Sequence, residues 1–140
     1  MFAVIDTNVL VSGLLSPHNP PGRIVDLLVS NLIQAVYDDR VLAEYEQVLS
    51  RLKFGFKKSE IADFLGHVRR MGAHVTAAPL KGLDYQRIKD RDDLPFAEVA
   101  AAGPAKVIVT GNEAHFKFIS NNPWGIKILT PAKFMLEMGF

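Results

Sequence analysis

The feature that most constrains this fold is a repeated alternation of short apolar runs with longer segments of helical periodicity. Each apolar run ends at a polar residue, which is typical of a buried strand that stops at a turn. The runs cover residues 2–5, 33–37, 74–78, 106–110 and 126–129. Because strands and helices alternate along the whole chain, the pattern predicts an α/β fold with a parallel sheet.

The helices that separate these strands are predicted from apolar residues spaced three or four positions apart. They cover residues 9–15, 24–28, 39–52, 61–71 and 94–102, with a last helix from residue 131. Asp38 and Asp39 are alternative caps of the third helix, and Gly72 ends the fourth. Thr130 followed by Pro131 is typical of a helix start.

Composition limits the size and the environment of the protein. The chain has 140 residues, 49% of them hydrophobic, which predicts a single domain over residues 1–140. It has no cysteine, which excludes disulfides, Cys-based zinc sites and a thiol nucleophile. Neither a signal peptide nor a membrane helix is indicated, so we expect a soluble, cytoplasmic protein. Because the formal net charge is +1, any nucleic-acid site must be a local patch.

Two polar side chains follow the first strand and the fourth strand of the predicted sheet. Asp6 comes directly after the first strand, and Asn112 comes just after the strand that ends at Thr110. Ligands of open α/β sheets bind outside the carboxyl ends of the strands, where the strand order reverses. Asp6 and Asn112 are therefore expected to face one crevice if their strands are adjacent. The alternative for Asp6 is a helix N-cap.

Glu44 lies on a predicted helix at the margin of the apolar stripe that contains Val41 and Val48. A carboxylate in such a position needs a partner, because a buried charge is tolerated when it is paired or binds a metal. The sequence leaves open a salt bridge or an edge position that reaches solvent.

Asp93 begins a helix and shares a face with Phe96, which turns it toward the packed side. Capping is again the alternative, and Asp92 serves equally well as the cap. Glu98 lies well off that face, so we expect it to be a solvated helix residue. Acids and an amide at such positions match the oxygen ligands that Mg²⁺ and Mn²⁺ prefer.

At this point the sequence resembles the PIN-domain family, in particular its small bacterial VapC-like toxin members. The segment 4–10 around Asp6 is similar to the family's opening strand and first acid. Residues 42–45 resemble its second acid on a helix, and residues 90–96 resemble the start of the helix with the third. Residues 107–112 resemble the strand and turn that carry its fourth polar position. The resemblance covers essentially the whole chain in order.

The resemblance implies an α/β/α sandwich around a parallel sheet of about five strands. It also implies Mg²⁺ or Mn²⁺ at the acid cluster, endonuclease action on RNA, a homodimer and an inhibitory antitoxin partner. Two departures matter. Asn112 stands where an Asp is common, and the pair Asp92 and Asp93 leaves the ligand ambiguous; we choose Asp93 because it faces the packed side.

The resulting hypothesis assigns the metal and the chemistry to Asp6, Glu44 and Asp93, directly or through water. Other polar residues would orient these ligands or the scissile phosphate. They are Asn8, Asp92, Thr110 and Asn112. Asn8 is equally compatible with an ordinary turn residue. A rival hypothesis is a non-catalytic PIN-like module that binds RNA or protein with a depleted metal site, and Asn112 favours it.

Contacts with RNA are assigned to exposed cations near two predicted helices, with a solvated basic surface as the alternative. They are Arg51, Lys53, Lys57, Lys58, Arg69 and Arg70. His115, Phe116 and Phe118 are candidates for stacking on bases, although such Phe residues are more often core. The C-terminal segment 134–140 is apolar around its circumference, which predicts a homodimer interface, with packing against the sheet as the alternative.

Overall fold

The computed structural model describes residues 1–119 and 123–140 and contains a five-stranded, all-parallel sheet. The strands are β1 (Phe2–Ile5), β2 (Gln34–Tyr37), β3 (Ala73–His74), β4 (Val107–Val109) and β5 (Lys127–Leu129). Their order across the sheet is β3-β2-β1-β4-β5. The predicted parallel α/β architecture is confirmed, and the order reverses between β1 and β4.

In the described part of the chain, six α-helices cover the two faces of this sheet and complete a three-layer α/β/α sandwich. They are α1 (Thr7–Leu15), α2 (Pro20–Val29), α3 (Asp39–Leu49), α4 (Lys58–Met71), α5 (Leu94–Ala102) and α6 (Pro131–Met138). α5 packs against β1, β2 and β4, whereas α2 contacts α1, α4 and α6 in the opposite layer. No helix in the described part of the chain has the length and apolar character needed to cross a membrane.

The helix starts follow the predicted capping chemistry. Asp38, one of the two candidate caps, accepts a hydrogen bond from the backbone N–H of Val41 at 2.9 Å. Thr130 accepts one from Lys133 N at 3.2 Å, with Pro131 in the first turn of α6. Each cap satisfies a backbone donor that has no partner inside the helix.

α3 and β3 each end at least three residues before their predicted ends. α3 ends at Leu49, the last fully buried residue of its stripe, and the chain then forms a 3₁₀ turn at Leu52–Phe54. Gly55 closes this turn with a φ of 71°, a conformation that favours glycine. β3 stops at His74 because its partner β2 ends at Tyr37, so residues 76–78 have no strand to pair with.

The pairing of β1 with β4 forms the crevice. Val4 lies beside Ile108 and Ile5 beside Val109, and all four side chains are fully buried. Beyond the strands, the backbone N–H of Asp6 donates to Val109 O at 2.8 Å. β1 and β4 are thus neighbours, which is the condition under which the sequence places Asp6 and Asn112 at one crevice, and the polar residues after the two strands meet at one edge of the sheet.

Packing within the chain accounts for much of the apolar C-terminus. Phe134 and Met135 are buried in the core, and Phe140 stacks on Phe134 with ring centroids 6.4 Å apart. Leu136, in contrast, is 82% exposed. Most of the segment therefore packs within the chain, as the alternative stated. The homodimer interface stays a prediction for the exposed surface around Leu136 only.

Candidate metal centre and active site

Asp6 stands at the N-cap position of α1, yet its carboxylate makes no capping hydrogen bond. Instead its Oδ2 accepts hydrogen bonds from Thr110 Oγ1 at 2.7 Å and from Asn8 Nδ2 at 3.1 Å. The residue is only 5% exposed, and this burial raises the pKa of its carboxyl group, against the opposing effect of the Thr110 hydrogen bond. Asp6 is therefore a buried acid held in one orientation by neighbouring loops, not a helix cap.

Asp93 precedes α5 in the same way as Asp6 precedes α1. It occupies the N-cap position without a capping hydrogen bond and is 9% exposed. Burial, followed by the charge of Asp6, raises its pKa to about 6. Asp92 is exposed, and its backbone N–H donates to Asp90 Oδ1 at 3.1 Å. Of the two adjacent acids, Asp93 is thus the one buried beside Asp6.

Glu44 lies on α3 at the margin of the same crevice. The hydroxyl of Thr7 donates to Glu44 Oε2, which joins α3 to the first residue of α1. Burial raises the pKa of Glu44, and the charges of Asp6 and Asp92 raise it further. The charges of neighbouring acids therefore affect Glu44, but Glu44 does not belong to the group of ligand atoms that lie within 4.8 Å of one another.

That tightest group contains a residue that the sequence analysis did not assign to the metal. Asp6, Asp93 and His115 each present one ligand atom, and these atoms all lie within 4.8 Å of one another. We had expected His115 only as a stacking residue. The signal available in the sequence was its position three residues after Asn112, at the carboxyl end of β4. Its neighbour Phe116 is buried, in agreement with the core alternative.

Asn112 contacts His115. Its Nδ2 lies 2.9 Å from His115 Nε2, and its backbone N–H donates to Thr110 Oγ1 at 3.1 Å. Asn8 holds the other side of this turn, because its Oδ1 accepts from Gly111 N at 3.0 Å. A Cβ at Gly111 would come 3.3 Å from that oxygen, which leaves little space for a side chain. The first turn of α1 and the loop after β4 are thus joined through Asn8, Thr110 and Asn112.

The residues fit a divalent cation. Asp6 and Asp93 supply carboxylate oxygens and His115 supplies a nitrogen, and burial together with the charge of Asp6 raises the pKa of Asp93. Within residues 1–119 and 123–140, no lysine or arginine forms a salt bridge with Asp6, Glu44 or Asp93. A bound cation would neutralise this cluster, and its oxygen-rich donor set suits Mg²⁺ or Mn²⁺.

The six predicted RNA-binding cations are exposed but divide into separate places. Arg51 lines a cavity together with Thr7, Asn8 and Glu44, close to the acids. Lys58 and Arg69 line a different cavity between α3 and α4. Lys53 lies over the ring of Phe54, and Lys57 and Arg70 lie at the two ends of α4. The structure therefore places Arg51 nearest to the acid cluster.

The expectation that Glu98 is solvated is wrong. Glu98 is 6% exposed and accepts hydrogen bonds from Arg40 Nη1 and from the Tyr85 hydroxyl, both at 2.7 Å. Arg40 also forms a salt bridge with Asp38 at 2.8 Å. Its guanidinium comes from α3, 58 residues before Glu98. A helical wheel of α5 alone cannot show a partner so distant in sequence.

Comparison with known proteins agrees with this arrangement. A model of the PIN domain family matches residues 3–114, a range that contains Asp6, Glu44, Asp93 and Asn112. The chain is also 28% identical over 148 residues to an uncharacterized protein of Methanocaldococcus jannaschii, with 96% of this chain and 89% of the relative covered. No solved structure matches. The chain therefore belongs to the PIN domain family, whose members are in general metal-dependent nucleases.

Proposed function

We propose that this protein is an endoribonuclease that hydrolyses phosphodiester bonds of RNA with the help of Mn²⁺ or Mg²⁺. The observation that carries the proposal is the group formed by Asp6, Asp93 and His115 at the reversal of strand order, within 4.8 Å of one another. Buried acids that lack a cationic partner are expected where a metal supplies the missing charge.

Each site residue has a separate task in this proposal. Asp6, Asp93 and His115 hold the ion directly, and Glu44 and Asp92 act through water at its edge. When bound, the ion supplies a water of lowered pKa and polarises the phosphodiester. Thr110 and Asn8 hold the carboxylate of Asp6 through its Oδ2, and Asn112 contacts the imidazole of His115. The carboxylates of this group suit both Mg²⁺ and Mn²⁺.

The finer assignment is that of a cytoplasmic toxin component of a toxin–antitoxin pair, which forms a homodimer and is inhibited by an antitoxin protein. It is supported by the resemblance to the small VapC-like members and by the exposed surface around Leu136 on α6. An apolar residue of this exposure is a candidate contact for a second copy. Light scattering at micromolar concentration tests the dimer, and a monomeric mass would count against it.

The experiment that tests the nuclease activity is cleavage of a panel of structured RNAs in Mn²⁺, with the Asp6→Asn variant as control. We expect cleavage by the unmodified protein, and its loss in Asp6→Asn and after chelation of the metal. Asp39→Asn is a matched control, because Asp39 is exposed and bound to His74 away from the crevice. Equal cleavage by Asp6→Asn would contradict the site.

A second candidate is a non-catalytic module that binds RNA or a protein partner. Asn112 favours it, because this side chain contacts His115 and adds no carboxylate to the cluster. The two candidates differ in one measurement. RNA binding in Mn²⁺ with no cleavage of any RNA in the panel would favour the module, whereas cleavage that depends on Asp6 excludes it.

A further inference from the structure

The carboxylate of Asp6 accepts two side-chain hydrogen bonds, and both end on the same oxygen. Thr110 Oγ1 donates to Asp6 Oδ2 at 2.7 Å, and Asn8 Nδ2 donates to it at 3.1 Å. Because a carboxylate oxygen has two lone pairs, these two hydrogen bonds use the accepting capacity of Oδ2. Oδ1 is therefore the oxygen of Asp6 that has a lone pair left for a cation.

The two donors are themselves held by the loop after β4. The backbone N–H of Asn112 donates to Thr110 Oγ1 at 3.1 Å, and the backbone N–H of Gly111 donates to Asn8 Oδ1 at 3.0 Å. Thr110 is also fully buried. A rotation of the Asp6 carboxylate that offered both oxygens to one ion would break at least one bond of this network. Asp6 is thus fixed as a ligand with a single oxygen.

Glu44 is held in a similar way at the margin of the crevice. The hydroxyl of Thr7 donates to Glu44 Oε2, and Thr7 is buried. One oxygen of each acid is therefore bound by a hydroxyl group of the protein. The same restriction acts on two carboxylates that approach the site from different elements, β1 and α3.

Divalent cations differ in how much such a restriction affects them. Ca²⁺ takes about six to eight oxygen ligands and often binds a carboxylate through both oxygens, whereas the smaller Mg²⁺ is octahedral and keeps several waters. Selection between the two kinds of ion depends on the number and the flexibility of the ligands. His115, the third member of the group with Asp6 and Asp93, offers a nitrogen, which is no substitute for the oxygens that Ca²⁺ prefers.

We propose that Thr110 and Asn8 are specificity-determining residues, which make the site select Mg²⁺ or Mn²⁺ and reject Ca²⁺ by occupying Oδ2 of Asp6. The inference rests on the proposed metal-dependent function and deepens it by naming the residues that choose the cation. Removal of either donor frees a lone pair of Oδ2, so that Asp6 gains the ability to bind Ca²⁺ with both oxygens.

The test is the ratio of two dissociation constants, that of Ca²⁺ to that of Mn²⁺, in the RNA-free protein. Electron paramagnetic resonance of free Mn²⁺ gives the first constant, and displacement of bound Mn²⁺ by Ca²⁺ gives the other. We expect a ratio of at least about ten in the unmodified protein. The ratio is informative because general damage to the site weakens the binding of both ions alike.

Thr110→Val keeps the shape of the side chain and removes its hydroxyl. It should weaken Mn²⁺ binding by about tenfold or more, which is typical of the loss of a partner that orients a ligand. It should also lower the ratio at least about threefold, because Ca²⁺ gains an oxygen that Mn²⁺ does not need. Thr110→Ser retains a hydroxyl and should keep the ratio within about twofold of its original value.

Two further variants keep the test decisive if Thr110→Val fails to fold. Asn8→Ala removes the second donor at an exposed position and should lower the ratio in the same direction. Thr76→Val is the matched control, because Thr76 is exposed and lines a separate cavity with Asp39 and His74. It should leave both dissociation constants within about twofold.

The outcomes separate this inference from the proposed function. If the unmodified protein binds Mn²⁺ and cleaves RNA, but Thr110→Val and Asn8→Ala keep its ratio, the inference is overturned and the nuclease assignment stands. Equal affinity of the unmodified protein for Ca²⁺ and Mn²⁺ overturns it as well, and so does an equally lowered ratio in Thr110→Ser. If the unmodified protein binds neither ion, the proposed function and the inference fail together.

Discussion

Helix α5 carries two buried acids, and their surroundings differ in one respect. Asp93, just before its first residue, lies beside Asp6 and near the charge of Glu44, and within residues 1–119 and 123–140 it forms no salt bridge with a lysine or an arginine. Glu98, near its middle, meets the guanidinium of Arg40 and the hydroxyl of Tyr85. Both are less than one tenth exposed. Burial alone therefore does not separate a structural acid from a metal ligand.

The difference lies in how each negative charge is compensated. Glu98 is compensated by a cation from its own chain, so it needs nothing from solution and ties α3 to α5 and to the segment around Tyr85. Burial, followed by the charge of Asp6, raises the pKa of Asp93 against the opposing effect of His115, so an external cation would stabilise its charged form. This contrast identifies which acids of the fold are available for a metal.

The first prediction compares two variants, each of which neutralises one of the two acids: Asp93 just before α5 and Glu98 within it. Asp93→Asn should lower the rate of Mn²⁺-dependent RNA cleavage by about a hundredfold or more, because it removes a proposed metal ligand. Glu98→Gln should leave the rate within about threefold of the unmodified protein, because its charge acts only on structure. Single-turnover cleavage assays on both variants measure this. Equal losses in both would show that the contrast between the acids has no functional meaning.

The second prediction removes the cation on the structural side. Arg40→Met leaves Asp38 and Glu98 without their guanidinium, and we expect a loss of about 2 kcal/mol in the free energy of unfolding. The value is moderate because the Arg40 side chain is 47% exposed. Urea titration measures it, with Arg70→Met on exposed α4 as control. Adding Glu98→Gln to Arg40→Met should restore part of the loss; no restoration would argue against a charge effect.

The third prediction adds an acid on the metal side. The RNA-free protein should bind one Mn²⁺ per chain, because two ions need more anionic ligands than this cluster offers. Asn112→Asp places a carboxylate beside His115 and should tighten Mn²⁺ binding about tenfold or create a second site. Titration calorimetry decides this. Two equally tight ions in the unmodified protein, or no gain in the variant, would contradict it.

The smallest expected effect concerns pH. The pKa of Asp93 is raised to about 6, so the folded state holds its proton more tightly than the unfolded chain does. The stability that this proton confers is present below pH 4 and is lost as pH rises through about 6. In metal-free buffer at pH 8, Asp93→Asn should be more stable than the unmodified protein by about 1 kcal/mol.

Thermal unfolding in a chelator at pH 4 and pH 8 tests the direction of this effect. The gain from Asp93→Asn should be present at pH 8 and nearly absent at pH 4, because the folded carboxyl is protonated at pH 4 and carries no charge that the other acids could repel. Saturating Mn²⁺ should reverse the order at pH 8, since the unmodified protein gains from binding. If Asp93→Asn were less stable than the unmodified protein in the chelator at pH 8, the claim that the acids repel one another would be wrong.

Much of this fold follows from local patterns in the sequence. Apolar runs predicted β1, β2, β4 and β5, and capping residues such as Thr130 predicted helix starts. The placement of Asp6 and Asn112 at one crevice followed from the condition that their strands are adjacent, because carboxyl ends of adjacent parallel strands lie at one edge. These features depend on residues near one another in sequence or on a general rule of sheet geometry.

Features that depend on distant partners could not be predicted in this way. Glu98 is buried because Arg40 reaches it from another helix, and no periodicity within α5 records that contact. His115 lies in an irregular 3₁₀ segment, where neither helical nor strand spacing indicates the direction of a side chain. The choice between capping and metal binding for Asp6 and Asp93 likewise required the hydrogen bonds of the folded chain.

The hydrogen bonds of Asn8 join the first turn of α1 to the loop after β4, and this connection has a consequence for the motions of the crevice. Gly111 is exposed at the tip of a loop, where amide hydrogens usually exchange rapidly with solvent, yet its N–H is donated to Asn8 Oδ1. The same side chain donates to Asp6. A fluctuation that displaces the loop around Gly111 must therefore break its hydrogen bond to the first turn of α1, so the movement of this loop is coupled to that helix and to the residue that holds the carboxylate of Asp6.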